Sequence, residues 1–230
     1  MYKAIIFDLD NTLLNYTSSE LLSMQKTVQE HNLLKKHNLQ WHKFWRLYLK
    51  NNWKHWISFV NKQGTHQSIE EVLISSFRDT LNLDDEYHAK LSKTYWHYFC
   101  NTCIYEEGAK EYLHSIRSAY RLGIISNGIG KAQRQRLNVG QIDHMFESIV
   151  VSDEVGIRKP NKEIFEYSLQ QLGLSSHEVL YIGDSITDDY QGAKNAGIDF
   201  CFYNRKGIKI PSGHDVKYTI SKLHELSEVI

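Results

Sequence analysis

Two carboxylates, Asp8 and Asp10, end the apolar run that opens the chain, MYKAIIFDLDNTLLN. Ala4–Phe7 suits a buried strand, and residues 4–9 are expected to be extended. On an extended chain, residues two apart point to the same side, so both acids can act on one centre. One can serve as a covalent nucleophile and the other as a general acid and base. Thr12 follows, two residues further on. Three more polar clusters lie downstream: Ser126-Asn127-Gly128, then Lys159 within GIRKPNKEIF, then Gly183-Asp184-Ser185 with Asp188 and Asp189 close behind.

Brought together, Asp8, Asp10 and Asp184 would form a cluster of like charge, which raises pKa values and costs stability. A hard divalent cation relieves that repulsion. Mg²⁺ favours one or two carboxylates together with water and phosphate oxygens. Lys159 adds a positive charge, Ser126 a hydroxyl donor, and the turn at Asn127-Gly128 backbone N–H groups. Such a set suits a phosphoryl group, whose transfer is catalysed mainly by positioning and charge neutralisation.

These residues need a scaffold that carries them to one place. From about Tyr105 onward, apolar runs alternate with helical patterns: RLGIISNG, FESIVVSDE, EVLYIGDS and DFCFYNR read as strands, with helices between them. That alternation implies a parallel sheet covered on both faces. In such sheets ligands bind beyond the carboxyl ends of the strands, where the polar clusters fall. Between about Thr17 and Asn101 the pattern is helical instead. Four stretches are separated by loop signals near Asn38, Gly64 and Asn82, and Thr17 and Glu20 have capping-box spacing. The expected fold is therefore α/β, a Rossmann-like parallel sheet core with an inserted four-helix cap domain. The core spans residues 1–15 and 105–230 and the cap 16–104.

Composition narrows the function. Lys plus Arg and Asp plus Glu both number 27 in 230 residues, so no basic excess marks a nucleic-acid surface. No apolar run approaches the roughly 20 residues of a membrane span, and no signal-peptide pattern opens the chain. Three cysteines, Cys100, Cys103 and Cys201, fit a reducing compartment, and a cytoplasmic location is expected. Cys100 and Cys103 form a C-x-x-C, but it closes a helical stretch and has no second pair to complete a zinc site. The 12 histidines show no metal-ligand spacing.

In this order and spacing, DLDNT, SNG, RKP and GDSITDD resemble the four motifs of the haloacid dehalogenase superfamily of phosphotransferases. The resemblance covers residues 1–15 and about 105–210, and the insert matches the position of that family's type I helical cap. It implies that Asp8 becomes an aspartyl phosphate, and that Asp10 protonates the leaving alcohol and then activates water. Mg²⁺ would be held by Asp8, the Asp10 backbone carbonyl and Asp184. Thr12, Ser126 and Lys159 would bind the phosphate, and Asn127 and Gly128 would shape the second turn. Asp188 or Asp189 would support the metal's water shell or the lysine; Asp189, just before an apolar-aromatic position, is the better match.

Within the superfamily, DLDNT, VGIRKPNKEIF and FYNRKG most resemble bacterial pyrimidine 5′-nucleotidases and related phosphatases. The expected activity is Mg²⁺-dependent hydrolysis of a small soluble phosphate ester, a nucleoside 5′-monophosphate. A phosphosugar phosphatase or mutase of the same superfamily is the alternative. A haloacid dehalogenase is disfavoured because that branch lacks the second aspartate, here Asp10. A binding protein on a retired core would have lost one of Asp8, Asp10, Lys159 or Asp184, and all are present. All five tryptophans, Trp41, Trp45, Trp53, Trp56 and Trp96, fall in the insert, where they either stack on a base or pack the bundle's own core.

Overall fold

The computed structural model of the chain describes residues 1–228 and 230. The described chain divides into two compact units, residues 1–18 with 103–230, and residues 19–102.

The first unit is built on six parallel strands in the order β3-β2-β1-β4-β5-β6. They are β1 (Ala4–Phe7), β2 (Arg121–Ser126), β3 (Ser148–Val151), β4 (Val179–Gly183), β5 (Asp199–Tyr203) and β6 (Tyr218–Ile220). β1 is central, with Phe7 opposite Ile124 of β2 and Ile182 of β4. Its side chains alternate between two apolar layers. Ile5 and Phe7 join one cluster with Leu113, Leu137 and Leu223; Ala4 and Ile6 join the other with Ile164, Phe165 and Leu172. A strand buried on both faces reads as a continuous apolar run, which is why AIIF shows no polar alternation. The strand order reverses beside β1, since β2 and β3 lie on one side and β4 to β6 on the other. Such a reversal opens a crevice at the carboxyl edge.

The second unit is helical. The described helices of the chain up to residue 100 are α1 (Tyr16–Glu30), α2 (Leu33–Lys36), α3 (Trp41–Val60), α4 (Ile69–Thr80) and α5 (Asp85–Cys100). Those that follow are α6 (Ala109–Ile116), α7 (Gly130–Gly140), α8 (Ser152–Val155), α9 (Lys162–Leu172) and α10 (Gln191–Asn195). The helical unit's core joins Met24, Phe44, Tyr48, Leu73, Phe77, Leu91 and Tyr95. Trp41, Trp45 and Trp96 pack half-buried against it, whereas Trp53 is 65% exposed.

Several expectations need correction. The first helical stretch breaks after Glu30, because Asn32 adopts a left-handed conformation with φ of 49°, and a one-turn helix follows. Asn15, rather than a Thr17–Glu20 box, caps α1: its Oδ1 accepts from the Ser18 N–H at 2.8 Å. The first strand stops at Phe7, two residues early. Ser152–Val155 turns helical rather than continuing β3, and the helix after β4 begins as a π-helical turn over Ile186–Tyr190. β6 was not expected; three residues at a sheet edge give too short a pattern.

Phe77 is fully buried, with its ring centroid 4.8 Å from that of Tyr48. Phe77→Ala is expected to destabilise the helical unit by about 3–5 kcal/mol, the usual cost of a large core cavity. Thermal melts followed by tryptophan emission check this, since every tryptophan lies between residues 41 and 96. A melt unchanged by the substitution would mean that Phe77 does not anchor that core.

Candidate active site

β1 delivers Asp8 to the carboxyl edge, where its N–H continues the ladder by donating to the Ile182 carbonyl at 2.8 Å. The chain then doubles back. Asn11 takes a left-handed conformation with φ of 65°, which asparagine tolerates well. Its N–H donates to the Leu14 carbonyl at 2.6 Å. Arg205, just after β5, braces this turn. One guanidinium nitrogen donates to Asn11 Oδ1 at 2.8 Å and another pairs with Glu106 at 3.1 Å.

The centre of the edge is the Lys159 ammonium, only 2% exposed. It lies 2.6 Å from Asp8 Oδ1, 2.7 Å from Asp189 Oδ1, 2.9 Å from the Tyr181 hydroxyl and 3.1 Å from the Ile125 carbonyl. Burial alone would lower the lysine's pKa, but the charges of Asp189 and Asp8 hold it above its ordinary value. Asn127 fixes the loop that carries it. Its Oδ1 accepts from the Lys159 N–H at 2.8 Å, and its Nδ2 donates to the Lys159 carbonyl at 3.0 Å.

Asp8, Asp184 and Asp189 each offer an oxygen within 4.8 Å of the others. Burial pushes the Asp8 carboxyl well above the usual range, with Lys159 opposing and Asp189 and Asp184 reinforcing. Burial and then the charge of Asp189 raise Asp184 to about 7. With all three ionised, the carboxylates would outnumber the single ammonium by two negative charges. A hard divalent cation matches both that surplus and the all-oxygen donor set. Gly183 makes the approach possible: a Cβ there would stand 2.3 Å from Asp189 Oδ2.

The two candidate acids of the last motif separate in space. Asp189 reaches Lys159, and its Oδ2 also accepts from the Ser185 N–H at 3.0 Å. Asp188 instead accepts from Asn127 Nδ2 at 3.3 Å. Asp10 has different partners from Asp8. Its Oδ1 accepts from Arg136 at 2.6 Å and its Oδ2 from Gln133 at 2.6 Å. Ser126 is buried and accepts from Gln133 Nε2 at 2.8 Å. Thr12 is buried with its hydroxyl unpartnered, and a Cβ on Gly128 would meet Gln133 at 2.3 Å.

Sequence reading did not pick out Gln133, Arg136, Tyr181 or Arg205. Two signals were available: a polar-tipped tyrosine inside the apolar strand VLYIG, and a Gln and an Arg three apart on the helix that follows SNG.

Comparison with known proteins gives the same outline. The model of the haloacid dehalogenase-like hydrolase family matches residues 5–203. Pyrimidine 5′-nucleotidase YjjG of Escherichia coli (strain K12) is 32% identical over 176 residues, 76% of this chain and 77% of that one. Pyrimidine 5′-nucleotidase PynA of Streptococcus pneumoniae is 29% identical over all of this chain and 95% of its own. The crystal structure of the putative HAD-hydrolase YfnB from Bacillus subtilis bound to magnesium, described as revealing interdomain movement, superposes with a TM-score of 0.81. That match has 27% identity and covers 99% of this chain and 98% of that one.

The lysine should matter more than the tyrosine beside it. Lys159→Met leaves buried carboxylates without their cation and is expected to cost about 3–5 kcal/mol in urea unfolding without added metal. Tyr181→Phe removes one of four contacts to an ammonium that has only three protons. It is expected to cost about 1 kcal/mol. Equal costs would show that the lysine does not organise the cluster.

Proposed function

The chain belongs to the haloacid dehalogenase-like hydrolases, and within that family we propose that it is a Mg²⁺-dependent phosphatase of nucleoside 5′-monophosphates, pyrimidine nucleotides foremost. One observation carries the reading: Asp8, directly after the central strand, lies with Asp184 and Asp189 in a cluster of three carboxylates served by one ammonium, that of Lys159. Two relatives named pyrimidine 5′-nucleotidase support the substrate class.

The proposed chemistry has two steps. An Asp8 carboxylate oxygen attacks phosphorus, the ester P–O bond breaks, and the Asp10 carboxyl gives its proton to the departing alcohol oxygen. A water then attacks the aspartyl phosphate and yields a proton to the Asp10 carboxylate. The P–O bond to Asp8 breaks, and inorganic phosphate leaves. The Ser126 and Thr12 hydroxyls, the Lys159 ammonium and the backbone N–H groups at Asn127 and Gly128 hold the phosphate oxygens. Asp8, Asp184 and the Asp10 carbonyl would hold Mg²⁺, and Asp189 would support the bound metal and the lysine. When bound, the metal neutralises charge on the phosphoryl group. Asp10 argues against a dehalogenase, which needs no second carboxylate.

We assign residues 19–102 as the cap domain that selects the leaving group, a reading supported by the interdomain movement described for YfnB. No helix among the described residues is long and apolar enough to cross a membrane. Cys100, Cys103 and Cys201 form no disulfide, which fits the proposed action on a small phosphate ester in the reducing cytoplasm.

A screen of nucleotides, sugar phosphates and phospho-acids tests the substrate. Pyrimidine nucleoside 5′-monophosphates should be the best substrates, and a sugar phosphate clearly preferred over every nucleotide would overturn that assignment. Asp8→Asn should lower turnover at least about 100-fold while the fold persists. Mg²⁺ should raise the thermal midpoint of the wild type, by mass action on the folded state, and should do so far less for Asp184→Asn. Undiminished turnover in excess EDTA would contradict the metal requirement.

A further inference from the structure

Asp10 has more support than its proposed role requires a priori. It is partly exposed, yet both of its carboxylate oxygens are engaged by α7. Arg136 Nη1 donates to Oδ1 and Gln133 Nε2 to Oδ2, each at 2.6 Å. The two donors are also joined to each other, since Gln133 Oε1 accepts from Arg136 Nη1 at 2.9 Å. Gln133 Nε2 further contacts Ser126 Oγ at 2.8 Å. The Arg136 side chain is 0% exposed and Gln133 only 2%. A buried arginine–carboxylate pair contributes little net stability compared with apolar residues of similar size. Its geometric effect is large, because charge-assisted bonds to both oxygens fix the carboxylate plane.

The location of the clamp is equally specific. α7 begins directly after the Ser126-Asn127-Gly128 turn, and Gln133 and Arg136 stand three residues apart, on one helix face. Gly128 lacks the Cβ that would collide with Gln133, so the turn is shaped around this side chain. The Asp8 carboxylate is held by a different cation, Lys159. The two aspartates of the first motif therefore have separate positive partners.

We infer that Gln133 and Arg136 are positioning residues that hold the Asp10 carboxylate in line for proton transfer and tie its orientation to the phosphate-binding hydroxyl of Ser126. The inference rests on the reading of Asp10 as acid and base. It has a kinetic consequence. Departure of a nucleoside alcohol needs the Asp10 proton, whereas p-nitrophenolate departs without help. Hydrolysis of the aspartyl phosphate needs Asp10 as base whichever ester was used. Loosening the clamp should therefore slow both steps for nucleotides, but only the second step for p-nitrophenyl phosphate.

The test uses the full chain carrying Gln133→Met or Arg136→Met, with Arg136→Lys as the conservative variant. Turnover of a pyrimidine nucleotide should fall about 10- to 1,000-fold, part of the range ascribed to general acid–base catalysis, with KM within about twofold. In stopped flow with p-nitrophenyl phosphate, the methionine variants should release nitrophenolate in a burst approaching one per site before a slow steady state. The burst should be larger relative to steady turnover than in the wild type. Arg136→Lys should recover part of the lost rate. If Arg136→Met does not fold, Gln133→Met decides. A folded Gln133→Met with wild-type turnover and burst overturns the inference. So does a variant that raises KM and slows both phases equally, which would mean phosphate binding or structure alone. Wild-type enzyme that hydrolyses no phosphate ester, or Asp8→Asn that stays active, sinks the functional reading and this inference with it.

Discussion

The carboxyl edge of the sheet depends on a single buried ammonium. Lys159 sits between Asp8 and Asp189, and without it three carboxylates would crowd together with no cation. Burial raises the cost of every unpaired charge, so the lysine must arrive from a fixed direction. The fold supplies that direction several times over. Asn127 grips the Lys159 backbone on both its N–H and its carbonyl, and the Tyr181 hydroxyl and Ile125 carbonyl add further acceptors for the ammonium. Gly183 leaves room for Asp189 to fold back from the π-helical turn that follows β4. The lysine offsets only part of the negative charge, and the remainder makes the site a natural seat for a divalent cation.

Strand order makes this convergence possible. β1 lies between β2 and β4, so the residues after three neighbouring strands meet at one edge. Asp8 follows β1, Ser126 ends β2 and Asp184 follows β4. The edge also separates two electrostatic environments. Asp8 faces Lys159, while Asp10, two residues later, faces Arg136 and Gln133. Two carboxylates so close in sequence are thereby held by separate cationic partners.

Much of the architecture was legible in the sequence because its signals are local. Apolar runs that end on Asp, Ser or Gly-Asp mark strand ends, and the change from alternating to helical periodicity marks the insert. Features that depend on distant partners were not legible. Whether Asp188 or Asp189 reaches the lysine is decided by the π-helical turn over Ile186–Tyr190, which no periodicity announces. Arg136 looks like an ordinary surface residue of a polar helix, and only the packing of α7 reveals it as fully buried beside Asp10. Tyr181 and Arg205 escaped notice similarly, since each gains meaning from a residue far away in the chain. The break at Asn32 and the three-residue β6 were missed because each leaves only a faint local pattern.

The central claim is that Asp8 carries the phosphoryl group between two half-reactions. The most direct measurement mixes the enzyme with Mg²⁺ and p-nitrophenyl phosphate, quenches in acid within milliseconds, and locates any covalent phosphate by peptide mass spectrometry. The account predicts a phosphoryl group on Asp8, formed only with metal and discharged on a longer delay. Covalent phosphate on another residue would contradict it, as would single-turnover release of phosphate with no covalent phosphate at any quench time.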